Sequence, residues 1–156
     1  MYWELEDFDQ ARATMQQALT ALRADGDLQD LARALTQKAE FCLHLGDLEA
    51  VGPLLDEAGQ LAARFDAHRI LFTGQVLTAR LVAARGDLAH AVEQLTAFLE
   101  PYGLEEEQAE VYYWLWKIQG GRTYRQKAID KNSALLERVP LAIYRKRLVK
   151  LGHSEP

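Results

Sequence analysis

The sequence lacks several features that would direct attention to particular classes of protein. It has one cysteine, Cys42, which excludes an intramolecular disulfide, and its place in an apolar helical run favours a small buried hydrophobe over a reactive thiol. No run approaches the roughly 18 apolar residues of a membrane-spanning helix. The acidic N-terminus does not have the pattern of a secretion signal. These absences favour a cytoplasmic protein that does not enter a membrane.

Patterns that carry catalysis or cofactor binding are scarce as well. The Gly120-Gly121-Arg122 segment lacks the spaced Gly-Lys-Ser/Thr signature of a phosphate loop. The histidines form no His-x-x-x-His pair, and Glu40 with His44, one helical turn apart, is more typical of a surface pair than of a metal site. We therefore expect a protein that is not an enzyme and that holds neither a metal nor a cofactor.

Charge is distributed unevenly along the chain. The net charge is −5, but residues 120–156 contain nine Lys/Arg and three acids, which gives +6 and leaves −11 for the rest. Such asymmetry can mark an interaction surface or an attraction between molecules. Because the chain as a whole is acidic and the basic segment has no recognisable binding motif, the pattern argues against nucleic-acid binding.

One phrase recurs at an interval of 40 residues, in Gly46-Asp47-Leu48 and again in Gly86-Asp87-Leu88. The glycine is suited to end one helix in the left-handed conformation, and the aspartate to cap the next. Each unit is thus predicted to be a helical hairpin. The aligned apolar or small residues recur at spacings of three, four and three, which trace one stripe along a helix: Phe8/Leu48/Leu88, Ala11/Val51/Ala91, Met15/Leu55/Leu95 and Ala18/Ala58/Phe98.

A small residue stands seven positions before each glycine, at Ala39 and Ala79, and another small or apolar residue five positions after it, at Val51 and Ala91. Together with the Gly-Asp turns, these positions resemble the tetratricopeptide repeat. The interval of 40 differs from the usual period of about 34 and is similar to extended repeats in sensory segments of large bacterial transcription activators. HEAT and armadillo arrays are the structural alternative. The resemblance implies an all-α, right-handed superhelical stack of antiparallel helix hairpins with a concave groove.

The repeat pattern predicts a single domain over residues 1–151. It divides into a half repeat (1–26), repeats at about 27–66, 67–103 and 104–140, a capping helix (141–151) and a tail (152–156). Helices are predicted near 8–23, 28–44, 48–64, 68–84, 88–100, 104–118, 124–138 and 141–151, with Ala39, Leu55, Ala79, Ala91 and Leu95 buried. We expect Pro53 to cause a kink or a late start in the predicted helix at 48–64. The Lys and Arg side chains of the capping helix are expected to face water.

The resemblance implies that the first helix of each hairpin lines the groove and that a protein or peptide segment binds there. The candidate groove residues are Thr36, Glu40, His44, Val76, Arg80, Glu110, Trp114 and Lys117. Glu40 and Arg80 occupy equivalent positions in adjacent repeats, and we expect them to pair with each other rather than to bind a ligand. The sequence therefore predicts a non-catalytic protein-interaction module. The alternative is a ligand-sensing regulatory domain of a bacterial transcription or signalling protein.

The N-terminal half repeat leaves apolar residues without a partner helix. Tyr2, Trp3, Leu5 and Phe8 are expected to be covered by a second copy of the chain, or by an upstream segment if the chain is part of a longer protein. Self-association through these four residues is thus a second expected interaction.

Overall fold

A computed structural model of the protein describes residues 8–99 and 103–153, and in these ranges every regular element is helical. The prediction of an all-α protein is confirmed, and the predicted helices agree closely with the observed ones. The elements are α1 (Phe8–Asp25), α2 (Leu28–Leu45), α3 (Leu48–Arg64), α4 (His68–Ala84), α5 (Leu88–Thr96) with a 3₁₀ turn at Ala97–Leu99, α6 (Glu105–Gln119), α7 (Arg122–Arg138) and α8 (Ala142–Lys150).

The chain divides into two compact units, residues 1–81 and 82–156, with the division inside α4. Within each unit the helices pack chiefly against their neighbours in the chain, α1 on α2 and α2 on α3 in the first, and α5 on α6, α6 on α7 and α7 on α8 in the second. The single domain over residues 1–151 stays a prediction.

Both Gly-Asp turns of the repeat use the same backbone hydrogen bonds. Gly46 and Gly86 are left-handed, with φ of +79° and +102°. The N–H of Gly46 donates to the Leu43 carbonyl at 3.2 Å and that of Asp47 to Cys42 at 2.9 Å. At the second turn the N–H of Gly86 donates to the Ala83 carbonyl, and the N–H of Asp87 donates to the Val82 carbonyl. This pair of bonds is the Schellman arrangement, in which a left-handed residue satisfies the last carbonyls of a helix.

The aspartates of these turns differ in their capping. The Asp87 carboxylate accepts a hydrogen bond from the His90 N–H at 3.1 Å, which confirms its predicted role. Asp27, in the related turn before α2, accepts from the Asp30 N–H at 3.0 Å. Asp47 makes no side-chain cap hydrogen bond, so its predicted capping role is wrong in this structure. Its side chain instead borders the cavity described below.

Pro53 lies inside α3, and the helix nevertheless begins at Leu48. Of the two expected effects, a kink or a late start, the late start is therefore wrong. Proline has no N–H, so the helix lacks one backbone hydrogen bond, the one to the Glu49 carbonyl. Because the Pro53 ring is exposed, the helix accommodates it.

The first unit has a core built from the repeating apolar and small positions. Ala39, Cys42, Val51, Leu55, Leu77 and Leu81 form one buried cluster across α2, α3 and α4. A second cluster joins α1 to the start of α2 and the middle of α3 through Leu19, Leu31, Leu35 and Ala58. Ala39 and Ala79 are completely buried, and Leu55 is buried as predicted. Small residues at these positions allow close helix packing.

The second unit buries Ala91 and Leu95 of α5, again as predicted. Tyr113 of α6, which replaces the small residue of the other repeats, is buried with Ala128, Ile129, Leu148 and Leu151. Bulk from the tyrosine ring thus fills the space between α6, α7 and α8. The expectation that every Lys and Arg of α8 faces water is wrong at Arg147, which is buried beside Glu110 and over the Tyr113 ring.

Candidate interaction surfaces

The first unit brings together two candidate groove residues that are one repeat apart. Arg80 Nη1 donates to Glu40 Oε1 at 3.1 Å, joining α4 to α2. The arginine side chain is 15% exposed and the glutamate 38%, so both are partly shielded from water. The expectation that they pair is confirmed. The contact therefore joins equivalent positions of α2 and α4.

Other candidates of the first unit differ in what they offer a partner. Thr36 and Val76 are buried, and the Thr36 hydroxyl donates to the Ala32 carbonyl at 2.9 Å, which satisfies its hydrogen-bonding capacity as a donor. These two side chains pack within the unit and expose little surface to a binding partner. His44 is exposed near the end of α2. We define the α2–α4 face as Glu40, His44 and Arg80.

Three candidates lie in the second unit, on one side of α6. Glu110 Oε2 lies 3.5 Å from Arg147 Nη2, and the two side chains are only 14% and 10% exposed. Trp114 is half-buried, with its ring edge-on to Tyr113 at a centroid distance of 5.2 Å. Lys117 is exposed, and its Nζ lies 6.0 Å from the centre of the Trp116 ring. The structure thus divides the eight candidates between the two units, five in the first and three in the second.

Of the residues expected to self-associate, Tyr2, Trp3 and Leu5 lie outside the described residues. Phe8 is half-buried at the start of α1. Its ring lies 6.3 Å from that of Phe41 and 6.1 Å from that of His44, measured between ring centres. Phe8 therefore packs against the last turns of α2.

The first unit also contains a cavity that sequence reasoning missed. It lies among α1, α2 and the start of α3 and has a volume of about 500 Å³. Its apolar wall consists of Ala13, Met15, Phe41, Cys42, Leu45 and Ala50, and its polar lining of Asp9, Arg12, Gln16, Lys38 and Asp47. No sequence signal marks it, because the lining comes from three helices whose relative placement is a tertiary property.

The charges around this cavity act on the thiol of Cys42. Burial raises the pKa of the Cys42 thiol, and the negative charge of Asp47 raises it further, whereas Lys38 and Arg12 lower it. Burial is the largest of these effects. A thiol with a raised pKa is mostly protonated at neutral pH and is a weak nucleophile. This supports the interpretation of Cys42 as a packing residue.

Neither metal chemistry nor a membrane span has support in the described part of the chain. Among residues 8–99 and 103–153, no group of three or more His, Cys, Asp or Glu side chains is placed to hold a metal ion. No helix in these ranges is long and apolar enough to cross a bilayer.

Comparison of the chain with protein-family models, with curated proteins and with solved structures gave no match.

Proposed function

We propose that this chain is a non-catalytic, cytoplasmic protein-interaction module with a right-handed, tetratricopeptide-like stack of hairpins, and that it binds a peptide or partner segment across the α2–α4 face. The single observation that carries the proposal is the contact between Glu40 and Arg80, which are 40 residues apart. Stacking of adjacent repeats in register would bring such equivalent positions together. Stacking in register is how repeat proteins build extended binding surfaces.

The hydrogen-bonded turns give further support. The same two bonds recur at Gly46 and at Gly86, and small residues are completely buried seven positions before each, at Ala39 and Ala79. The chain therefore repeats its backbone geometry as well as its sequence. Such repetition favours a repeat fold over an irregular helical bundle, in which residues at a fixed interval have no reason to share an environment.

The chemistry of the α2–α4 face suits an extended polar segment. Glu40 and Arg80 keep one another in place, so that one carboxylate and one guanidinium are presented at fixed positions, and exposed His44 adds a third polar group. A guanidinium favours carboxylate partners, and groups already held in position lose less entropy on binding. A peptide carrying an acidic and a basic side chain would match this surface.

The test begins with peptides selected from a random displayed library on the purified chain, whose affinities are then measured by fluorescence anisotropy. The informative variant exchanges the pair, Glu40→Arg with Arg80→Glu, which keeps an ion pair but inverts the charge pattern of the face. We expect the selected peptides to lose about tenfold or more in affinity, the equivalent of about 1.4 kcal/mol.

The chain offers a matched control. Arg23 Nη2 pairs with Glu57 at 3.0 Å between α1 and α3, the second helices of their hairpins. The exchange Arg23→Glu with Glu57→Arg makes the same chemical change away from the α2–α4 face, and peptide affinity should be unchanged. If no peptide is selected, or if both exchanges weaken binding equally, the proposed function is wrong.

A further inference from the structure

We propose that the cavity among α1, α2 and α3 is a binding site for a free α-amino acid with a large apolar side chain. The inference is independent of peptide binding at the α2–α4 face, since the cavity is bordered by Lys38, Phe41, Cys42 and Leu45 of α2, whereas Glu40 and His44 of that face do not line it. Its volume of about 500 Å³ lies in the range of small-molecule pockets, about 300–1,000 Å³.

The wall of the cavity defines one half of the ligand. Met15 of α1 and Leu45 of α2 line it with half-buried apolar side chains, whereas Phe41 is almost completely buried. Transfer of an apolar side chain from water to such a surface is favourable in proportion to the area that is buried. A wholly polar ligand would gain nothing from this wall, so the ligand must carry an apolar body.

The polar lining defines the other half. Two cations, Arg12 and Lys38, and two carboxylates, Asp9 and Asp47, border the same space. Lys38 is held in place because its Nζ donates to Gln16 Oε1 at 3.0 Å. A ligand with only a carboxylate would meet the two aspartates, and a ligand with only an ammonium would meet the two cations. A zwitterionic head satisfies both signs, because each of its charges finds groups of the opposite sign.

The lining thus suits a molecule with one carboxylate, one ammonium and an apolar body, and an α-amino acid is the simplest compound that has all three. Binding of such a molecule would give the chain a sensing role in addition to its interaction surface. It involves no covalent step, since the Cys42 thiol contributes only part of the wall.

Cys42 provides a reporter for the test, because it is the only cysteine of the chain and it lines the cavity. The rate of its alkylation by iodoacetamide at constant pH is measured with and without L-phenylalanine, and backbone amide shifts are recorded by NMR in parallel. Three partial analogues complete the set: phenylpropionate without the ammonium, phenethylamine without the carboxylate, and glycine without the apolar body.

We expect L-phenylalanine at millimolar concentration to slow the alkylation and to shift the amide resonances of Cys42 and Ala50. Each partial analogue should bind about tenfold more weakly or worse, because it leaves charged or apolar lining without a partner. Ala13→Trp fills the cavity from an exposed position on α1. In this variant, L-phenylalanine should change neither the alkylation rate nor the amide resonances, each compared with the same variant without ligand. Ala21→Trp, on the same helix but outside the cavity lining, should retain them.

The proposal is overturned if L-phenylalanine changes neither the alkylation rate nor the amide shifts. It is also overturned if phenylpropionate or phenethylamine binds as well as L-phenylalanine, since the zwitterionic head would then be irrelevant. Binding that persists in Ala13→Trp would place the amino acid elsewhere and contradict the assignment to this cavity.

Discussion

The three Gly-Asp-Leu turns permit a test in which sequence and structure predict different results. Glycine and aspartate precede α2, α3 and α5 in the same order, so the local sequence alone gives no reason for Asp27, Asp47 and Asp87 to differ in capping. In the structure, Asp27 and Asp87 each accept a backbone hydrogen bond, at 3.0 Å and 3.1 Å, whereas Asp47 makes no side-chain cap bond. Substitution by alanine should therefore have unequal costs.

The magnitudes follow from what each carboxylate contributes. Asp27→Ala and Asp87→Ala lose both a cap hydrogen bond and a favourable charge at a helix N-terminus, at a cost of about 1 to 2 kcal/mol in the free energy of unfolding. Asp47→Ala loses only the charge at the helix terminus, which is worth about 0.3 to 1 kcal/mol at an exposed position. Because Asp27 and Asp47 lie in the same unit, the comparison between them is free of differences between units.

Urea unfolding followed by far-ultraviolet circular dichroism measures these free energies. Asp27→Asn serves as the control, because asparagine is an equally good cap and should restore most of the lost stability. If Asp47→Ala proves as destabilising as Asp27→Ala, the argument from hydrogen-bond geometry is refuted.

Three further predictions concern buried groups. Ala79→Phe should lower the free energy of unfolding by about 1 to 3 kcal/mol by overpacking a completely buried position, and an unchanged melting temperature would contradict the stacking register. Arg147→Met should cost about 3 kcal/mol in urea unfolding because it removes the ion pair with the shielded Glu110 carboxylate. Arg138→Met, which removes an exposed pair, should cost less than about 1 kcal/mol, and equal costs would refute the role of burial. Asp47→Asn should lower the pKa of Cys42 by removing a nearby negative charge, which shifts the pH profile of alkylation to lower pH; an unshifted profile would show that Asp47 does not act on the thiol.

The sequence by itself determined the helices and the turns between them. Helical periodicity and the Gly-Asp punctuation are local properties, so the starts of α3 and α5 follow from a few neighbouring residues. The 40-residue register also predicted the burial of Ala39 and Ala79, because the small side chains recur on one stripe. The same register predicted the pairing of Glu40 with Arg80, which occupy equivalent positions 40 residues apart.

Only the tertiary structure decided how each side chain is used. Periodicity gives the angle of a residue around its own helix axis, but it does not say which neighbouring helices cover that angle. Thr36 and Val76 are buried, and Arg147 is buried although it lies in a basic run. Asp47 makes no side-chain cap bond whereas Asp87 does, although both follow glycine in the same kind of turn. The cavity itself depends on the distances among those helices, which are fixed by the packing of distant residues rather than by any short segment of the sequence.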